Sequence, residues 1–184
     1  MKSIWPIKIQ ENIEKVLGRA EENVLHSSVP FKMGYNMGGR SDIYLFKSHI
    51  NGIAYVTGDL IGLKQKNSDA GNYEFVICQK TEQEWGPNLI SNLSYYTLES
   101  SINSGETMSI GTYAMSENTI KAIVFNKYAS FKIGLKKYGL MLVLGITEDE
   151  LEWAKKNSGE KLIERLKEKN IYPITELKRK SIFE

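Results

Sequence analysis

A chain of 184 residues, 41% hydrophobic and 25% charged, has enough apolar area for a full core and lies outside the compositions of disordered chains. Lys+Arg exceeds Asp+Glu by only 24 to 22, split as −1 over residues 1–100 and +3 over the rest, so the basic stripe that nucleic-acid binding usually needs is not expected. A single cysteine excludes an internal disulfide or a zinc site of thiolates; no apolar export signal opens the chain and the longest apolar run, "GLMLVLGI" at 139–146, is far short of the roughly 20 residues that span a bilayer, so the cytoplasm is the expected compartment, without membrane association.

In chain order, Ile9, Ile13, Val16, Leu17, Ala20 and Val24 recur at helical spacing and predict one amphipathic helix over 9–27, with Gly18 weakening it without ending it. Pro30 and the glycines of "GYNMGGRSD" make 28–42 a loop. "DIYLFKS" (42–48) and "GIAYVTGDL" (52–60) read as two strands, with Asn51-Gly52 as a two-residue hairpin turn. "NYEFVICQK" (72–80) alternates Tyr73, Phe75 and Ile77 with Glu74, Val76 and Cys78, a strand covered on both sides over its middle.

"TEQEWGPNLISNLSYYTLESSI" reads as the next helix, with Pro87 in its first turn. Strands follow at 119–128 and 137–146. The second runs straight into "TEDE", where Thr147 and Glu150 form a capping box. A last helix restarts at Ser158 and buries Leu162, Ile163 and Leu166, and "LKRK" at 177–180 reads as a solvated tail. With hairpins present and strands outnumbering crossover helices, the expected fold is a single α+β domain over 1–184: a central mixed, mostly antiparallel sheet packed against helices, with helix 9–27 and the tail 171–184 as appendages.

The search for chemistry starts from Cys78, four residues after Glu74. A reactive thiol needs a helix N-terminus or a cation beside it, and Cys78 sits instead in an apolar strand, where it packs as a small hydrophobe. Glu74 is costly in a buried strand unless it is paired, and both structural pairing and partner binding stay open for it. His26 and His49 show no metal spacing, and "MGYNMGG" lacks the strand context of a dinucleotide fingerprint and the Lys-Ser/Thr of a phosphate loop. No catalytic residue, cofactor or metal is therefore assigned, and the chain is not expected to be an enzyme.

"DIYLFKSHINGIAYVTGDLIG" resembles the strand–turn–strand of suppressor of fused-like domains, and "YEFVICQK" is similar to that family's glutamate-led strand. "WGPNLISNLSYY" matches the tryptophan that opens the following helix. "MLVLGITEDELEWAKKNSGEKLIERL" resembles the closing strand, the T-x-x-E helix start and the Gly-broken helix pair. The resemblance covers about 30–170; the proline usual before the T-x-x-E start is replaced by Gly145-Ile146. It implies the role of single-domain bacterial members: immunity proteins (antitoxins) that bind and neutralise a cognate polymorphic toxin, often a nuclease. Tyr44, Tyr55, Asp59, Glu74 and Trp85 are the expected contacts, because aromatics beside carboxylates suit interface hot spots, with core packing as the alternative for Tyr55 and Trp85. Two other readings stay open, a small regulatory interaction domain and a hydrolase or transferase using Glu74. A net charge of +2 offers no net steering, so association is expected near 10⁵–10⁶ M⁻¹s⁻¹.

Overall fold

The computed structural model describes residues 5–114 and 116–184; residues 1–4, part of the stretch read for an export signal, lie outside them. The alternation in "NYEFVICQ" organises the molecule. Strand β4 (Asn72–Gln79) turns Tyr73, Phe75 and Ile77 to one core and Val76 and Cys78 to another, and all five are buried. The sheet is therefore covered on both faces, as the sequence implies for this strand.

Its path runs β1 (Val24–Leu25), β2 (Ile43–Phe46), β3 (Ile53–Thr57), β4, β7 (Lys136–Thr147), β6 (Ile120–Ile133) and β5 (Thr107–Ser109), and β8 (Ile174–Thr175) pairs with the far half of β4. Among these strand pairs β4–β7 and β4–β8 are parallel and the others antiparallel. The result is the expected α+β fold with a mixed, mostly antiparallel sheet. Helices α2 (Trp85–Leu93) and α3 (Tyr96–Glu99) cover one face, whose core joins Leu89, Ile90 and Leu93 to Phe75 and Phe125. Helices α1 (Ile7–Leu17), α4 (Glu148–Lys156) and α5 (Gly159–Glu168) cover the other through Ile13, Leu151, Leu162 and Leu166.

Several boundaries depart from expectation. The first helix begins at Ile7 and stops at Leu17, because Gly18 adopts a φ of +80° and its N–H closes on the Glu14 carbonyl; the downstream Val24 joins a strand instead. A Cβ at Gly18 would also collide with the Ser48 side chain, so glycine ends the helix rather than merely weakening it. The hairpin turn is not the two-residue Asn51-Gly52 type: Phe46 pairs with Ala54, leaving a longer loop. The helix after Trp85 splits at Ser94, whose hydroxyl donates back to the Ile90 carbonyl at 3.1 Å, a contact that bends helices. The capping box at Thr147 and the Ser158 cap are both present.

Glu74 is fully buried and surrounded by donors. Its carboxylate accepts from the Trp5 indole N–H (3.0 Å), the Thr57 hydroxyl (2.6 Å) and the backbone N–H groups of Leu60 (3.0 Å) and Ile61 (2.8 Å). Burial lifts its carboxyl from 4.5 to about 8, against the pull of these donors. The neutral acid is also accommodated, because the Thr57 hydroxyl can reverse its role and accept the carboxyl proton.

The tail is a second clasp rather than a solvated extension. Arg179, 7% exposed at its side chain, forms a two-pronged ion pair with the fully buried Glu150 and donates to the Gly145 carbonyl at 3.0 Å. Glu150 in turn accepts from the Thr147 N–H at 2.9 Å, so the cap of α4 and the C-terminal tail share one carboxylate.

Three stability outcomes follow from these contacts. Between pH 4.5 and about 8 the folded protein holds a Glu74 proton that the unfolded chain has lost, so this contribution is fully present below 4.5 and is withdrawn as pH rises through the window. The urea midpoint should fall across that range, and Glu74→Gln should flatten the fall; an unchanged pH profile in the variant would disprove the assignment. Arg179→Ala strands Glu150 in the core and should cost about 3–5 kcal/mol in urea unfolding. Cys78→Ala removes one buried sulfur and should cost on the order of 1 kcal/mol by the same measurement.

Candidate partner-binding surface

The five residues expected to contact a partner do not form one surface. Strand alternation turns Tyr44 and Glu74 to the α1 side and Tyr55 to the opposite core, which it shares with Trp85, the first residue of α2. Glu74 and Tyr55 are 0% and 1% exposed, so neither can touch a partner directly. Tyr44 is half-buried with its ring 4.6 Å from that of Trp5. Asp59, also half-buried, accepts from the Asp42 N–H at 2.8 Å and the Ser41 hydroxyl at 3.1 Å. Trp85 lies beneath the surface, its indole N–H donating to the Tyr113 carbonyl at 3.0 Å. Asp59 and Trp85 hold pieces of the surface in place from below.

What lies above is a groove of about 580 Å³ between α2, α3, β5, the 3₁₀ turn Gly111–Tyr113 and Tyr35 of the 3₁₀ turn Tyr35–Met37, which follows another such turn at Phe31–Met33. Tyr35, Tyr95, Tyr96, Tyr113 and Met108 line it. Tyr95 stacks on Phe31 with centroids 4.3 Å apart and donates its hydroxyl to the Phe31 carbonyl at 2.5 Å, anchoring the turns to α3. Tyr35 meets Tyr95 edge-on at 5.6 Å, and the Arg40 guanidinium lies 5.3 Å from the Tyr35 centroid.

Of the residues that line this groove, Tyr35 and Tyr96 are exposed, and Met33 and Met37, two positions either side of Tyr35 in the chain, are exposed as well. Exposed tyrosines in a concavity, with methionines and a half-buried arginine close by in the chain, have the composition of an interface core. The sequence held a signal for it that periodicity overlooks. "FKMGYNMGG" carries four large apolar residues in a stretch too rich in glycine for a regular element, and only Phe31 of the four is buried.

A cluster with nucleophile character lies elsewhere. His49 and Tyr128 share a hydrogen bond of 2.6 Å, and Tyr128 reaches toward Cys78. Burial pushes the Cys78 thiol up to about 12, with the Tyr128 hydroxyl opposing, so the thiol stays protonated at neutral pH. Burial also lowers the His49 pKa, keeping the imidazole neutral. The cluster is a packed polar seam under the sheet. Among the described residues no group of three His, Cys, Asp or Glu is placed to hold a metal ion, and no helix is long and apolar enough to cross a membrane.

Comparison with solved structures places this geometry. A chain of the Sufu–Fu complex matches with a TM-score of 0.71 at 12% identity, covering 96% of this chain and 91% of that one. Drosophila Suppressor of Fused gives 0.71 at 12%, covering 95% of this chain and 50% of that one, so this chain spans about half its length. A suppressor of fused homologue from Neisseria gonorrhoeae FA 1090 gives 0.60 at 16%, covering 93% and 92%. These likenesses establish the fold; a search of functionally curated proteins finds no significant match. The Suppressor of fused protein (SUFU) family profile matches residues 40–180, well over half of the sequence, and the chain belongs to that family.

Proposed function

We propose that this chain is an immunity protein that binds and neutralises a cognate toxin in the cytoplasm of the cell that makes it, and that the tyrosine groove is the surface it uses. The observation that carries the reading is the exposed pair Tyr35 and Tyr96 in a groove that Tyr95 and Tyr113 also line, with Met33 and Met37 exposed on the same two turns. Truncating such anchors typically removes most of an interface's binding energy. The protein-interaction character of the family and the resemblance to single-domain bacterial members support it.

A regulatory interaction domain would use the same groove and differ only in the partner. The hydrolase or transferase reading is disfavoured. Glu74, its proposed acid–base group, has no solvent access, and its oxygens are engaged by Trp5, Thr57, Leu60 and Ile61. Asp59 and Trp85 serve binding indirectly, by fixing the loop before β2 and the Tyr113 segment.

The test is co-expression with the toxin domain encoded by the neighbouring gene. The wild-type chain should restore growth and co-purify with that domain. Tyr35→Ala combined with Tyr96→Ala should weaken binding at least tenfold with an unchanged circular dichroism spectrum, because both side chains are exposed and their loss costs little fold stability. Full protection by the double variant would place the interface elsewhere, and the absence of protection by the wild-type chain would overturn the immunity role.

A further inference from the structure

Charge is segregated in this near-neutral chain. From Asn118 to Thr147 the sequence has five lysines, at 121, 127, 132, 136 and 137, and no carboxylate, while residues 60–72 carry Lys64, Lys66 and Asp69. The two segments sum to +6 in a chain of +2, which leaves −4 for the remainder. The fold brings them together. Strand β4 starts where the loop after β3 ends, and it pairs in parallel with the start of β7, Asn72 beside Tyr138.

Between the loop and the β6–β7 arm lies a second groove of about 450 Å³, lined by Lys64, Lys66, Lys136 and Lys137 with Gln65 and Asn72. The arm projects past the short β5, which pairs only with residues 122–124 of β6. In its register Lys132 stands directly opposite Lys137. Like charges in that position destabilise a hairpin, so this pair works against the fold that carries it. Lys64, Lys66, Lys132 and Lys136 are exposed and have no carboxylate partner among the described residues, whereas Lys47, Lys80 and Lys155 each pair with a glutamate. The nearby Asp69 is already engaged by the Ser104 hydroxyl at 2.7 Å and by Lys127 at 4.0 Å, and the Lys137 ammonium donates to the Asp69 carbonyl.

We infer that this lysine groove docks an acidic surface of a protein partner, as the charged flank of the tyrosine groove. The inference rests on the protein-binding reading above, though not on the partner's being a toxin. The two grooves adjoin: the Lys66 N–H donates to the Thr97 carbonyl at 2.8 Å, and Thr97 follows Tyr96 of the tyrosine groove. An apolar anchor beside unpaired cations matches an interface core with its charged rim. Leu63 and the fully exposed Leu135 at the tip of the arm extend the apolar contact.

Nucleic acid fits less well. The isoelectric point of about 8.4 is below the range usual for such domains, and the aromatic rings of the arm, Phe131 and Tyr138, are half-buried and stacked on each other rather than open to bases. A membrane fits less well too, because the lysines line a concavity that a flat bilayer cannot enter. A partner of this kind would be a steered one. The expectation of unsteered association, drawn from net charge alone, gives way to a local field.

The test uses three probes in fluorescence anisotropy: a 20-residue alternating Glu-Gly peptide, a 20-base-pair DNA duplex, and phosphatidylcholine vesicles with 30% phosphatidylserine. The acidic peptide should bind, and weaken at least tenfold between about 50 and 300 mM salt. Reversal of Lys64, Lys66, Lys132 and Lys137 to Glu should abolish binding, while equal reversal of Lys8, Lys15, Lys156 and Lys169 should leave it within about threefold. Lys132→Glu alone should weaken the peptide and raise Tm by about 2 °C as the like-charge pair is relieved. Absence of peptide binding, equal loss in both quadruple variants, or displacement of the peptide by duplex or vesicles at physiological salt would each overturn the inference. None of these readouts uses the toxin, so their failure is distinct from failure of the protection assay.

Discussion

A carboxylate without access to water governs how the surface of this protein is arranged. Glu74 points from the central strand into a ring of donors that come from the N-terminal segment, the end of β3 and the turn that follows it. A buried polar group is tolerable only when its bonds are made, so each of these donors is drawn to one position. The turn held by Leu60 and Ile61 sets Asp59 against the start of β2, and thereby the end of the loop that presents Tyr35 and Arg40. The same turn launches the lysine-bearing loop of residues 62–71. Both proposed binding grooves thus depend on one interaction that neither of them contains.

The two-sided cover of the sheet explains why the functional surfaces lie where they do. With α2 on one face and α1, α4 and α5 on the other, both faces are covered over the centre of the sheet. What remains is the rim: 3₁₀ turns too short and glycine-rich to bury their methionines, and a β arm longer than the strand that flanks it. Loops on a rigid scaffold carry binding for this reason. The cost falls on the arm, where the Lys132–Lys137 pairing is locally unfavourable and is borne by the stability of the sheet behind it.

Elements with strong periodicity or a local capping rule were readable at once. The alternation over 72–79, the long apolar run that becomes β7 and the Thr147–Glu150 box depend on neighbours in sequence, so single-chain patterns carry them. The misread boundaries share a different cause. Gly18 ends its helix at a φ of +80° where Ser48, thirty residues on, leaves no room for a Cβ, and Arg179 is buried because it pairs with Glu150 in the cap of α4. The two-residue strands β1 and β8 have no period to detect and exist only through their partners.

The sequence by itself determined the class of molecule: an α+β domain with a doubly covered central strand, a cysteine inside that strand, and the ordered motifs that mark its family. Alternation, capping and composition act over a few residues, and those are the distances at which a sequence is legible. The tertiary structure decided which polar and aromatic residues are available to a partner. A strand residue's burial depends on what packs against its face, which removed Tyr55 and Glu74 from the surface and left Tyr35 and Tyr96 upon it. It also decided where the charge sits, because lysines about seventy residues apart act as one patch only when parallel pairing of β4 with β7 sets them side by side.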